Sequence, residues 1–322
     1  MKFRTAIELN QSQHHIDHSS KLILLGSCFA ESIGNKLIDS KFDACINPLS
    51  ISYNPVSIKK HLDYVLENRI NENDVFEHNE VFSHYDFHSD LSSNDKNEIL
   101  TNIEDSLVLF KKQLLASTHI FLTFGTSFVF EHEAYGIVNN CHKMPSSIFN
   151  RRMLSLNELN TTFKDINKTL KVLAPTANVT YTISPIRHIR DGLIENQKSK
   201  STLIASLAEL SKELDWGYFA SYEMMIDDLR DYRFYAADMI HPNEQAIQYI
   251  WGKFTHHFFN TKTNELNSKI GKIKTDLNHR PRFPKSNSYQ NHVKGLLQKI
   301  EALDFLDYSK EKAHLSNLLK SF

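Results

Sequence analysis

Lys21-Leu22-Ile23-Leu24-Leu25-Gly26-Ser27-Cys28-Phe29-Ala30 is the stretch whose reading decides the fold. Its apolar run, ending at a glycine, reads as a short strand buried on both faces, the form strands take in a parallel sheet. Phe29, Ile33 and Leu37 then recur at helical spacing. The chain therefore turns from strand to helix at Gly26-Ser27-Cys28, and Ser27 stands at the carboxyl end of the strand, where open α/β sheets bind their ligands.

The same rhythm continues downstream. Phe42 to Ile46 reads as a second strand, broken by Pro48 and Pro55, and Ser57 is placed to cap a helix carrying Ile58, Leu62 and Val65. Ile99, Ile103, Leu107, Phe110 and Leu114 mark one face of a long helix before a buried strand at His119 to Phe124. A Ser155 to Glu158 capping box opens a helix with Leu159, Phe163, Ile166, Leu170 and Leu173 on one face, and Pro175 stops it. A strand at Asn178 to Ile183, a helix over Leu203 to Leu214 and a strand at Trp216 to Tyr222 follow. A further helix, opened by Pro242, is striped by Ala246, Ile250, Phe254 and Phe258.

Strands alternating with helices predict an α/β fold with a mostly parallel central sheet. Alternating residues from Val75 to Phe87 predict a hairpin inserted at about 73–90. Beyond residue 260 the chain turns polar and basic, with helical spacing at Val293, Leu297, Ile300 and Leu303. The expected organisation is a domain over 1–260 carrying the hairpin, and a linker with a helical extension over 261–322.

Composition narrows the function classes. Of 322 residues, 37 are Lys or Arg and 38 are Asp or Glu, so the net charge of −1 gives no overall field for nucleic acid or an anionic membrane. No stretch approaches the roughly 20 apolar residues of a membrane span. Cys28, Cys45 and Cys141 cannot close an even disulfide set and lack CxxC spacing, which points to a reducing compartment and no zinc ribbon. Leu25-Gly26-Ser27-Cys28 has the form of a lipoprotein cleavage box. Its apolar run begins only at Leu22, however, and is preceded by Glu8, His14, His15, Asp17 and His18 where a leader would be basic and then apolar. A cytoplasmic location is expected. The 17 histidines raise a metal protein as an alternative, since His14 and His18 are spaced i, i+4 and His78, His84 and His88 flank the hairpin. No HExxH occurs and the neighbouring acids follow no ligand pattern, so we expect no metal and no cofactor, with most histidines at the surface.

Chemistry enters with Ser27 and Asp238-Met239-Ile240-His241. Nucleophilic acyl transfer needs a hydroxyl activated by an imidazole, and an imidazole oriented by a carboxylate. The DxxH spacing lets Asp238 reach Nδ1 of His241 while Nε2 faces Ser27. Just before Pro242, His241 is expected at a helix N-terminus, whose positive end keeps the ring neutral and basic. The N–H groups of Ser27 and Cys28 open a helix and are candidate oxyanion donors. Spacing alone leaves ordinary cap and turn roles open for these residues.

Gly26-Ser27-Cys28-Phe29-Ala30 is also the name-giving motif of the GSCFA domain family, which the chain resembles in further segments in the expected order. These are Asn47-Pro48 through Tyr53-Asn54-Pro55-Val56, Phe124-Gly125-Thr126, Asn140-Cys141-His142-Lys143, Thr182-Ile183-Ser184-Pro185-Ile186-Arg187-His188, and Tyr218 to Pro242. The resemblance spans roughly residues 20 to 260 and leaves the tail uncovered. It implies a bacterial branch of the SGNH/GDSL-like hydrolases, with a three-layer, flavodoxin-like α/β/α domain, Ser27 as nucleophile, His241 as base and Asp238 as orienting acid. In SGNH enzymes the oxyanion hole draws on the serine N–H, a glycine after the second strand and an asparagine after the third. Here Ser50 stands at the first of the two later positions and Gly125-Thr126 at the second, so the implied donors are Ser27, Ser50, Gly125 and Thr126, with Asn140 supplying an amide.

Asn54, His142, Arg187 and His188 are the expected substrate-binding residues. Polar loops satisfying their own backbone remain the alternative for His142 and for Arg187-His188, and Arg230, Asp231 and Arg233 read as an ion-pair network. The expected activity is that of a serine esterase or O-acyltransferase acting on a small-molecule, glycan or lipid ester, with no nucleic-acid partner. The contrasting expectation is a catalytically inactive binding module of the same fold.

Overall fold

Every residue of strand β1 (Lys21–Gly26) except the first is buried, as its unbroken apolar run requires. The computed structural model describes residues 5–320, so the outermost residues of the expected 1–260 and 261–322 segments lie outside the described residues. After β1 come α1 (Cys28–Asp39), β2 (Asp43–Ile46), α2 (Pro55–Glu67), the hairpin strands β3 (Val75–His78) and β4 (Val81–His84), α3 (Lys96–Ala116) and β5 (His119–Phe124). Next are β6 (Phe128–His132), β7 (Gly136–Val138), β8 (Phe149–Met153), α4 (Leu156–Leu173), β9 (Asn178–Ile183), α5 (Leu193–Leu214), β10 (Gly217–Tyr218) and the short turn α6 (Ser221–Glu223). Four helices follow: α7 (Glu244–Phe258), α8 (Thr261–Leu277), α9 (Asn287–Glu301) and α10 (Ser309–Lys320).

Five strands form one parallel sheet in the order β10-β9-β5-β1-β2. In this doubly wound order the connections diverge between β1 and β5, opening a crevice at the carboxyl ends of those two strands. Successive side chains of β1 feed opposite layers. Ile23 and Leu25 pack with Ile58 of α2, Leu107 of α3, Phe163 of α4 and Leu207 of α5. Leu22 and Leu24 pack with Phe29 and Ile33 of α1 and with Phe254 and Phe258 of α7. The result is the expected α/β/α sandwich. Gly26 takes φ +131°, and a Cβ there would lie 2.0 Å from the Thr123 carbonyl oxygen, so only glycine allows the turn beside β5.

Several boundaries differ from the sequence reading. Asn54, not Ser57, caps α2, because Pro55 is pre-set for the first helical position and the Asn54 side chain accepts from Ser57 N–H at 3.0 Å. Helix α5 begins ten residues earlier than Leu203, and the strand expected over Trp216 to Tyr222 shrinks to Gly217–Tyr218. The antiparallel sheet β7-β6-β8 was not anticipated. Helix α8 starts at Thr261, so there is no linker at that point. Helices α8 to α10 share a core of Ile270, Val293, Leu296, Ile300 and Tyr308, and Lys41–Glu311 (2.6 Å) and Lys274–Asp39 (2.5 Å) tie them to α1 and the loop after it. No helix among the described residues is long and apolar enough to cross a membrane.

Candidate functional site

The loop before α7 is folded around one carboxylate. Asp238 Oδ1 accepts from the backbone N–H groups of Ile240 (2.9 Å) and His241 (3.0 Å), while Oδ2 accepts from His241 Nδ1 at 2.6 Å. Met239 takes φ +60°, an uncommon value for a residue other than glycine, and tightens the turn. The N–H of His241, then that of Ile240, then the imidazole hold the Asp238 carboxyl down at about 2, so it is charged at neutral pH. Because a carboxylate only accepts, Nδ1 carries the proton and Nε2 is the basic nitrogen of His241. Arg187 braces the loop from behind: its N–H donates to Ile240 O at 3.3 Å, its Nη1 donates to Met239 O at 3.2 Å, and its guanidinium lies 3.8 Å from the Tyr235 ring centre. The expected helix start at Pro242 is corrected: Asn243 caps α7 through Ala246 N–H, and His241 stands two residues before that cap.

Ser27 is fully buried and is the N-cap of α1, its Oγ accepting from Phe29 N–H at a long 3.4 Å. Its hydroxyl proton has no acceptor among the described residues, and no hydrogen bond joins it to His241. The backbone donors expected for an oxyanion divide into two groups. Ser27 N–H donates to Thr123 O (3.2 Å), and the N–H groups of Gly125 and Thr126 both donate to Tyr53 O (2.8 and 2.9 Å). The crossing chain at Tyr53 thus occupies the Gly125 and Thr126 amides, as buried backbone groups must be occupied. Ser50 N–H and Asn140 Nδ2 have no protein acceptor among the described residues, since the Asn140 amide uses its oxygen to accept from His142 N–H at 2.9 Å.

A cleft of about 510 Å³ opens here. Of the expected residues, Ser50, Asn54, Thr126, Asn140 and His188 line it, together with Asn139, Phe128, Phe130, Arg151, Arg190 and Ile240. Ser27, Gly125, His142, Arg187, Asp238 and His241 do not line it, although Thr126 and Ile240 carry its wall to within one residue of Gly125 and His241. Asn54 is engaged as the cap of α2. Burial first, then Lys200 and Arg151, push the His188 imidazole down to about 3, so the ring is neutral, and its Nε2 has no partner among the described residues. A Cβ at Gly125 would lie 2.6 Å from that nitrogen, so the glycine makes room for the ring. The far wall is the unanticipated β6 to β8 sheet. Its signal was the alternation Phe128-Val129-Phe130, followed by a left-handed glycine at 136 with φ +64°.

The sequence pattern of the GSCFA family matches residues 21–254, from β1 into α7. The chain belongs to the GSCFA family. A second pattern, the C-terminal domain of GSCFA domain proteins, matches residues 270–321, a range that begins inside α8 and takes in α9 and α10. No curated protein matches the chain.

In this GSCFA domain the hairpin and the Asn139-Asn140 loop are joined by a buried polar cluster. Asp86 pairs with Lys60 (2.5 Å) and accepts from Tyr64 OH (2.8 Å) and Asn139 N–H (3.3 Å). His61 Nε2 bonds Asp86 O at 2.5 Å, and His142 Nε2 bonds His84 O at 2.9 Å. His61, His84 and His119 are buried, which corrects the surface assignment. An imidazole can pack its ring in a core while a nitrogen bonds the backbone, as His61 Nε2 does with Asp86 O and His84 Nδ1 does with Asp86 N–H. Among the described residues no group of three or more His, Cys, Asp or Glu could hold a metal ion.

Proposed function

We propose that this GSCFA protein is an SGNH-type serine esterase or O-acyltransferase that works through an acyl-Ser27 intermediate on a carbohydrate or lipid ester. The reading rests above all on the Asp238–His241 pair, whose 2.6 Å bond leaves Nε2 with no partner among the described residues, in a fold that sets Ser27 at the strand end beside the sheet crevice. The Ser27 rotamer must swing out of its weak 3.4 Å cap bond to meet the imidazole, a tightening common when substrate binds. As Oγ attacks the ester carbonyl, His241 Nε2 takes its proton. The tetrahedral oxyanion then collapses, and the imidazolium protonates the departing alkoxide. Water or an acceptor hydroxyl attacks the acyl-serine by the same steps in reverse. Ser50 N–H, Cys28 N–H and Asn140 Nδ2 are the donors for the oxyanion in this reading.

The full burial of Ser27 favours a second reading, a binding module without chemistry. Incubation with a fluorophosphonate followed by peptide mass spectrometry separates the two. An adduct on Ser27 supports the enzyme; folded protein that stays unlabelled supports the binding module.

A further inference from the structure

Two independent features of the cleft concern what it binds. The first is charge. Arg151 and Arg190 both lie over the Phe130 ring, at 4.6 and 4.9 Å from its centre. Arg151 grips Asp191 through Nε (2.8 and 2.9 Å) and Nη2 (2.5 Å), so both carboxylate oxygens are taken. Arg190, the chain neighbour of Asp191, donates to no carboxylate among the described residues, and Glu131 of the same sheet is engaged with Arg152 (2.7 Å). Two guanidinium groups thus stand against the single carboxylate of Asp191 on this wall, which leaves a net positive charge fixed against an aromatic face.

The second feature is unmet hydrogen bonding. The Asn139 Nδ2 group donates to Ile51 O (3.1 Å) and Asp86 O (3.5 Å), which fixes its amide orientation, and its Oδ1 is buried without a partner among the described residues. His188 Nε2 is buried without a partner as well, and both residues line the cleft. Buried polar atoms left unpaired are costly, and a ligand that supplies their partners removes that cost. Asn140 Nδ2 adds a donor.

We infer that this cleft selects a carboxylate-bearing sugar, a uronate-type glycan ester, with its carboxylate on Arg190 and its hydroxyls on Asn139 and Asn140. The inference rests on the esterase reading only in calling the sugar a substrate. Binding itself requires no catalysis.

The test is a calorimetric titration of the full chain with trigalacturonate and with its fully methyl-esterified, neutral form. Trigalacturonate should bind at least about tenfold more tightly, the worth of one charge-assisted contact. The preference should fall to about one in Arg190→Gln and persist in Arg69→Gln, an exposed arginine that does not line the cleft. It should also persist in Ser27→Ala, so failed fluorophosphonate labelling would remove the enzyme reading without touching this one. Equal affinities, no binding of trigalacturonate at millimolar concentration, or a preference retained by folded Arg190→Gln would overturn it.

Discussion

The carboxylate of Asp238 holds His241 twice, through the backbone N–H at 3.0 Å and through Nδ1 at 2.6 Å. Both bonds arise within one short loop, so the ring orientation needs no support from the distant core. In Asp238→Asn the side chain loses its charge and can donate to Nδ1, favouring the wrong tautomer. The expected loss in kcat is about 10³ to 10⁴-fold with KM little changed. Because the folded carboxyl is depressed to about 2, its contribution to loop stability is present above the ordinary carboxylate range near 4 and is lost as pH falls through about 2. A carbon-13 NMR titration of Asp238 with its midpoint near 4 would contradict this account.

Ser27 has a structural task besides the proposed chemical one. Removing its cap in Ser27→Ala should cost about 0.5–1 kcal/mol in urea unfolding, the low end for an N-cap because the bond is 3.4 Å long. Fluorophosphonate labelling should vanish in this variant and survive in Cys28→Ser, since the Cys28 sulfur meets Tyr53 OH at 3.6 Å and otherwise packs against the apolar cluster of α1. Labelling that survives Ser27→Ala would place the nucleophile elsewhere.

Gly26 and Gly34 make a matched pair for substitution by alanine. At Gly26 the added Cβ meets fixed backbone at 2.0 Å under a φ of +131°, whereas at Gly34 it meets the flexible end of the Ile46 side chain at 2.5 Å. Gly26→Ala should therefore cost at least about 3 kcal/mol or prevent folding, and Gly34→Ala about 1–2 kcal/mol. Thermal unfolding of the two variants measures the difference, and similar losses would refute the backbone-clash argument.

Lys200 is a fully buried cation whose Nζ donates to Ser184 O at 2.6 Å and lies 5.6 Å from the Tyr222 ring centre, with no ion pair among the described residues. Burial lowers its pKa to about 7. Between pH 7 and about 10 the unfolded chain therefore binds a proton that the folded chain does not, so stability attributable to this residue rises with pH across that window. Lys200→Met removes the effect. Urea midpoints at pH 7, 8 and 9 should show the wild type gaining on the variant at each step; a constant gap would mean the lysine is not titrating there.

The chain's own order determined the alternation of strands and helices. Leu22 to Leu25 and His119 to Phe124 are apolar runs suited to strands covered on both sides, and Leu159 to Leu173 repeats at helical spacing, so near-neighbour patterning was enough to specify an α/β fold with a mostly parallel sheet and to put Ser27 at a strand end, while the three-layer arrangement was implied by the family resemblance. The pairing of Asp238 with His241 was legible for the same reason, since residues three apart in one loop are held close by the chain itself. Tertiary structure alone decided which candidate groups remain free. That Tyr53 O takes the Gly125 and Thr126 amides, that both oxygens of Asp191 bond Arg151 and not its chain neighbour Arg190, and that His61 and His84 lie in a buried cluster each depend on segments far apart in sequence. A hydrogen-bonding group's availability is set by whatever the rest of the fold brings against it, and no local pattern records that.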